Sequence, residues 1–345
     1  MTKRKVPGTY RNLHSALAAS LLCLLAFSVS ISTPDAAPSQ TPASARNGSS
    51  DYTLKVNANL VVLSATVVDR HNALVSGLSK DDFQIYEDRV LQPIKHFSHE
   101  DIPVTVGLVI DNSASMAPKR ADVIAAALSF AQSSNPLDQI FVVNFNEHVT
   151  YGLPPNVAFT DRHDQLQQAL SSIHTIGKTA LYDAIASALD HLKQGKCDKK
   201  VLIVISDGDD NASTHSLAQV IEKAKASTAI IYAIGIFDQQ DGDQNPGVLK
   251  RFAKETGGEA FFPESSPETA SICEGIARDI RNLYTLAYIP AIPKLDGGYR
   301  TVEVKASSPG HGRMSVRTRT GYSVPSASAL PSSETVGETV GHDTD

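Results

Sequence analysis

The sequence predicts an α/β protein: a doubly wound, mostly parallel sheet flanked by helices, inserted in a small β-sandwich built from the N- and C-terminal flanks. Three observations predict it. Four apolar runs, "VTVGLVID", "QIFVVNF", "KVLIVISD" and "AIIYAIGIF", read as strands buried on both faces of a sheet. Segments of helical period lie between or beside them, over 118–133, 161–173, 180–194 and 214–227. Strand alternating with helix gives a parallel sheet with right-handed crossovers. Finally, β texture flanks this block on both sides.

Before the block, "LKVNANLVVLSATVVD", "DDFQIYED" and "QPIKHF" are rich in β-branched residues and are separated by charged turns. These are too few strands to close a sandwich alone. After it come "LYTLAYIPA", "RTVEVKAS" and "RMSVRTRTGYSV", separated by the turns "LDGGY" and "SPGHG". One sandwich assembled from both flanks is the economical reading; two separate β pieces is the alternative. A last helix over 267–283 carries Ile272, Ile276, Ile280 and Leu283 at helical spacing, so one face is expected to pack on the sheet. The expected domains are 51–101 and 286–324 for the two parts of the sandwich and 102–285 for the inserted α/β domain.

The two ends carry different signals. Lys3, Arg4, Lys5 and Arg11 precede the apolar run "SALAASLLCLLAFSVSIS" and the small residues of "TPDAAPS". Residues 1–37 therefore read as an export signal, with an uncleaved membrane anchor as the rival. The expected location is the periplasm, the cell surface or the medium. Residues 38–50 are Pro-, Ser- and Ala-rich and read as a flexible linker, and 325–345 as a disordered tail.

Composition narrows the functions. The hydrophobic content is 41% and the charged content 20%, values of a soluble globular protein. With four basic residues and one acidic residue removed by cleavage, 31 Lys and Arg against 37 Asp and Glu become 27 against 36, a net charge near −9. Such a balance gives no electrostatic reason to bind nucleic acid. Cys197 and Cys273 remain after cleavage, and spacing alone does not pair them.

Within "HTIGKTALYD" the tripeptide Gly177-Lys178-Thr179 ends as a phosphate-binding loop does. That loop requires a glycine at position 172, after a strand. The residue there is Ser172, and the preceding "QLQQALSSIH" has helical character. A nucleotide site is excluded.

A different constellation remains. "DNSASM" ends the first buried strand and supplies Asp111, Ser113 and Ser115 at alternate positions. "SDGDD" ends a second buried strand and supplies Asp207, and Thr179 lies between them in sequence. Ligands of open α/β sheets collect beyond the carboxyl ends of the strands. Two carboxylates and three hydroxyls there suit a hard divalent cation such as Mg²⁺ (or Mn²⁺ or Ca²⁺). Thiolate and imidazole, which softer metals prefer, are absent from these motifs. Each residue also has a simpler reading: Asp111 and Thr179 as helix caps, the serines as turn residues. Asp183 reads as a solvated first-turn carboxylate, or as a brace for the loop.

These five positions resemble the metal-ion-dependent adhesion site of the von Willebrand factor type A domain, whose pattern is D-x-S-x-S followed by a distant Thr and a distant Asp. The resemblance covers about 102–285. The flanks "LSKDDFQIYEDRVLQPIKHFSHEDIPVTVGLVIDNSASM" and "RTRTGY" resemble an exported bacterial group, best known from acidobacteria. By this likeness Asp111, Ser113, Ser115, Thr179 and Asp207 would hold the metal, and a partner protein's Asp or Glu would fill its open position. Lys178 departs from the pattern, since relatives often carry glycine there. The resemblance implies a binding protein, not an enzyme. A metal-independent envelope protein is one alternative. A Mg²⁺-dependent phosphatase of the haloacid dehalogenase type is another, but it needs a second carboxyl where Ser113 stands.

Overall fold

The computed structural model describes residues 60–171, 175–237, 244–292 and 296–324. The expected leader, linker and C-terminal tail lie outside the described residues.

The first strands are β1 (Val61–Val68), β2 (Phe83–Glu87), β3 (Val90–Gln92) and β4 (Ile94–Ser98). The chain then enters the α/β region with β5 (Val104–Asp111), a 3-10 turn over Ala114–Lys119, α1 (Arg120–Ser133), β6 (Gln139–Phe145) and β7 (Val149–Tyr151). It continues through α2 (His163–Ser171), α3 (Leu181–Leu192), β8 (Lys199–Ser206), α4 (Leu217–Ala226), β9 (Ile230–Gly235), α5 (Pro246–Thr256), β10 (Ala260–Phe261) and α6 (Ser266–Arg281). The last strands are β11 (Tyr284–Tyr288), β12 (Tyr299–Ala306), β13 (Ser315–Arg317) and β14 (Gly321–Ser323).

The central sheet runs β10-β9-β8-β5-β6-β7 and is parallel except for β7 at one edge. Every residue of β5 is buried, as expected of a central strand with helices on both faces. The order moves outward from β5 in both directions, so right-handed crossovers send helices to opposite faces. Accordingly α6 packs on α1 and α1 on α2, while α3 packs on α4 and α4 on α5. The α6 contact is a refinement of the sequence reading: Ile276 and Ile280 are buried, and the helix leans chiefly on α1.

Two antiparallel sheets complete the structure, ordered β13-β1-β11-β4 and β14-β12-β2-β3. Each mixes strands from before and after the α/β region. One apolar cluster lies between them, with Leu63, Ile85, Tyr284 and Leu286 fully buried. Tyr284 anchors it: its ring lies 5.0 Å from Phe83, and its hydroxyl accepts from Leu78 N and donates to Val75 O. Burying the ring is affordable only because the hydroxyl is satisfied.

The sequence reading places no helix over α5 and no strands at β7 and β10. The α5 signals are present: Asn245 accepts from Val248 N, Pro246 holds the first position and Gly257 ends the helix at φ +86°. They stand beside the polar run "DQQDGDQ", whose loop character extends over them in any averaged window. β7 and β10 are three and two residues long, too short to carry a period. Among the described residues no helix is long and apolar enough to cross a membrane.

Candidate functional site

Parallel strands bring their carboxyl ends to one edge, and here β5 and β8 lie side by side. Asp111 closes β5, and Asp207 follows β8 directly. The loop after β5 turns back because Asp111 Oδ1 accepts from Ser113 N at 2.8 Å, a turn closed by the side chain itself. Its other oxygen accepts from Ser206 Oγ at 2.6 Å. Ser113 Oγ lies 3.1 Å from Ser115 Oγ, and Ser115 Oγ donates to Asp207 Oδ2 at 2.6 Å. Asp111, Ser113, Ser115 and Asp207 thus form one continuous hydrogen-bonded chain.

Thr179 reaches this edge through its backbone. Ala114 N donates to Gly177 O and Ile176 N to Asn112 O, which ties the Thr179 loop to the Asp111 loop. Thr179 N donates to Asn211 Oδ1, and Thr179 O accepts from Asn211 N and Ala212 N, which ties it to the Asp207 loop. Two glycines permit these approaches. Gly177 has φ +87°, and a Cβ there would overlap the Glu147 carboxylate, which accepts from Lys178 N. Gly208 has φ +82°, and a Cβ there would meet Asn245 O at 2.5 Å. Both positions disfavour other residues by conformation, and Gly208 also by space, because its neighbour is backbone rather than the end of a side chain.

Thr179 is not the cap of α3; Ala180 holds that position and caps nothing. The α3 amides are satisfied from the neighbouring loop instead: Tyr182 N donates to Asp210 Oδ1 and Asp183 N to Ser213 Oγ. Asp183 in turn accepts from Thr214 N, Thr214 Oγ1, His215 N and His215 Nδ1. It is therefore a brace, and of its two sequence readings the solvated one is the wrong one. Asp210 is structural too, accepting from Tyr182 N and from Ser213 Oγ.

Asp111 and Asp207 are each 3% exposed, and among the described residues neither forms an ion pair with Lys, Arg or His. Burial pushes the Asp111 carboxyl up to about 6; bonds from Ser113 and Ser206 oppose this, and the Asp207 charge adds to it. Two buried carboxyls on one edge without a cation are costly unless protonated or matched by positive charge. No three His, Cys, Asp or Glu side chains gather as a metal site among the described residues. The donors at this edge are instead carboxylate and hydroxyl oxygen, a set that suits hard cations.

Sequence reasoning missed a polar support beneath the edge. Asn112 is 1% exposed; its Nδ2 donates to Ile110 O and Asn144 Oδ1, and its Oδ1 accepts from Arg120. Arg120 also donates to Thr175 Oγ1 and Leu170 O. Asn112 sits between two singled-out residues and has no motif of its own. Cys197 is half-buried and Cys273 buried, both free, with burial raising the Cys273 thiol to about 12.

A mostly parallel open sheet with helices on both faces and an oxygen-lined carboxyl edge, accompanied by two antiparallel sheets, defines an α/β class of domain. Residues 105–274 match the family model of the von Willebrand factor type A domain. No curated protein matches the chain. Among solved structures, the chain is similar to a von Willebrand factor type A protein from Catenulispora acidiphila at 13% identity and TM-score 0.48, covering 79% of this chain and 76% of that one. An aerotolerance-related membrane protein from Bacteroides fragilis is 17% identical at TM-score 0.41, over 51% of this chain and 98% of that one. The vWF domain of the type V pili tip protein Mfa5 from Porphyromonas gingivalis is 17% identical at TM-score 0.44, over 52% and 95%.

Proposed function

We propose that this is an exported, divalent-metal-dependent protein-binding module of the adhesion type, without catalytic turnover. The observation that carries the reading is the chain Asp111–Ser113–Ser115–Asp207, its two carboxyls buried and without an ion-pair partner among the described residues, with the Thr179 loop tied to both ends. Asp111, Ser113, Ser115, Thr179 and Asp207 would hold Mg²⁺ (or Mn²⁺ or Ca²⁺). When bound, the ion supplies an open coordination position for a carboxylate.

The chain's own residues supply the rest. Three neutral hydroxyls in the set keep the protein charge at the site low, which favours an anionic partner group. Ile176 is 64% exposed and Lys178 is exposed, both on the loop that carries Thr179. They offer an apolar contact and a positive charge to a partner presenting Asp or Glu. Ser113 stands where a phosphatase of the D-x-D type needs its acid, which disfavours the enzyme reading. A metal-independent envelope protein remains the second reading.

The test is a calorimetric Mg²⁺ titration of the protein and of Asp111→Ala, followed by pull-down from envelope extract with and without EDTA. Saturable binding lost in the variant, with an EDTA-sensitive partner, is expected. Equal binding by the variant removes the site; metal binding with no EDTA-sensitive partner favours the structural reading. Metal-dependent phosphate release from model esters, lost in Asp111→Asn, would restore the enzyme.

A further inference from the structure

At the opposite end of the central sheet, the amino ends of β8 and β9 face the outer surface of the β13-β1-β11-β4 sheet. Between them lies a cavity of about 370 Å³. That volume falls at the lower end of small-molecule sites, ~300–1,000 Å³. Its chemistry is not that of leftover space.

Lys199 opens β8, lines the cavity and is only 7% exposed. Its ammonium donates to Glu100 O and Leu283 O, two acceptors for three N–H groups. Among the described residues no carboxylate stands within ion-pair distance of it, although Asp101 and Glu100 lie close enough to favour its charge. Arg319 lines the same cavity, donates to two carbonyls, Gly321 O and Lys225 O, and lies 5.9 Å over the Tyr322 ring, with no carboxylate within ion-pair distance among the described residues. Lys225, by contrast, is matched by Glu222 and Glu255. A buried cation without a contacting carboxylate is costly, so Lys199, with the half-buried Arg319 beside it, points to an anion that arrives from outside.

The sheet surface supplies hydrogen bonding. Thr285 pairs with Ser64 on one side and Ser98 on the other, so three hydroxyl residues form a row across β1, β11 and β4. Tyr284 and Leu286 point into the sandwich core, and alternation turns Thr285 the other way. The Thr285 hydroxyl is buried and has no hydrogen-bond partner. Val62, Ile102 and Ile230 give the cavity apolar walls. Asp198 and Glu255 also line it, which disfavours polyanions such as phosphate esters.

We propose that this cavity binds a small amphiphilic monocarboxylate, its head group on the Lys199 ammonium and the Thr285 hydroxyl, its apolar body against Val62, Ile102 and Ile230. It lies at the other end of the sheet from Asp111 and stands independently of the metal reading. The test is calorimetric titration of the full chain with benzoate and hexanoate, and with benzamide and hexanol as neutral counterparts. The acids are expected to bind at least about tenfold tighter than the neutral molecules, with Lys199→Met abolishing that preference and Thr285→Val weakening the acids about three- to tenfold. Equal affinity for acid and neutral forms, binding of neither, or a preference that survives Lys199→Met would overturn the assignment. Should Lys199→Met fail to fold, Thr285→Val decides: unchanged acid affinity in that variant also overturns it.

Discussion

Ser115 Oγ donates to Asp207 Oδ2 at 2.6 Å across 92 positions of sequence, joining the loop after β5 to the loop after β8. The acceptor is buried, so loss of the bond is not made good by water. Ser115→Ala is expected to lower metal-free stability by ~1.5–3 kcal/mol in urea unfolding. In the metal reading it also removes an oxygen donor, and Mg²⁺ affinity by calorimetry should fall at least about tenfold. A variant that unfolds earlier yet binds Mg²⁺ equally well would leave Ser115 a structural residue.

Asp183 is the second cross-loop link, accepting from both backbone and side chain of Thr214 and His215. Because α3 also takes Asp210 and Ser213 as its amide acceptors, the loop after β8 and the start of α3 hold each other. Asp183→Ala should cost ~2–3 kcal/mol, the upper part of the range for buried or charged hydrogen bonds. Amide exchange at Thr214 and His215 should accelerate well beyond the change in global stability. Asp183→Asn keeps an acceptor and should recover part of both losses.

Asp138 gives a pH signature away from the candidate site. Its carboxyl accepts from Val104 N and Asn135 N, yet burial pushes it up to about 6 from the ordinary 3.8. The folded state therefore holds a proton that the unfolded state has released across that interval. Its contribution is fully present below about 4 and is lost as pH rises through about 6. Partial solvent screening keeps the difference to about 1–2 kcal/mol. Asp138→Asn should flatten the fall in unfolding free energy between pH 4 and 6, measured in metal-free buffer; an unchanged slope would show that Asp138 titrates normally.

Periodicity carried most of the fold, because strands such as β5 and β8 are buried on both faces and leave a continuous apolar run. The edges were less legible. α5 carries its caps beside a polar loop, and β7 and β10 owe their existence to strands already in place. At the site, Asp111, Ser113 and Ser115 were readable because one strand end carries all three. Asp207 required pairing with a second strand end, and Thr179 its place in the sequence between the two, which the resemblance then reinforced. Asn112, Asp210 and Ser213 left no signal, since each acts through a partner that only the folded chain brings near. Asp183 was misjudged for the same reason: its four donors lie more than thirty positions away.

Gly177 offers a test that separates conformation from space. Its φ of +87° lies in the left-handed region, where a residue with a Cβ pays ~1–2 kcal/mol. The same Cβ would also overlap the Glu147 carboxylate, whose bond to Lys178 N would then break. Gly177→Ala should therefore cost ~2–3 kcal/mol in total, with the excess over the conformational term arising from Glu147. Glu147→Ala alone removes one exposed acceptor and should cost little. The double variant relieves the overlap but keeps the unfavourable φ, so its loss should fall short of the sum of the two single losses. Because Gly177 O also accepts from Ala114 N, a shift here moves the Ser113–Ser115 turn along with Thr179. Additive losses in the cycle would mean that Glu147 swings clear at no cost and that φ alone requires glycine at this position.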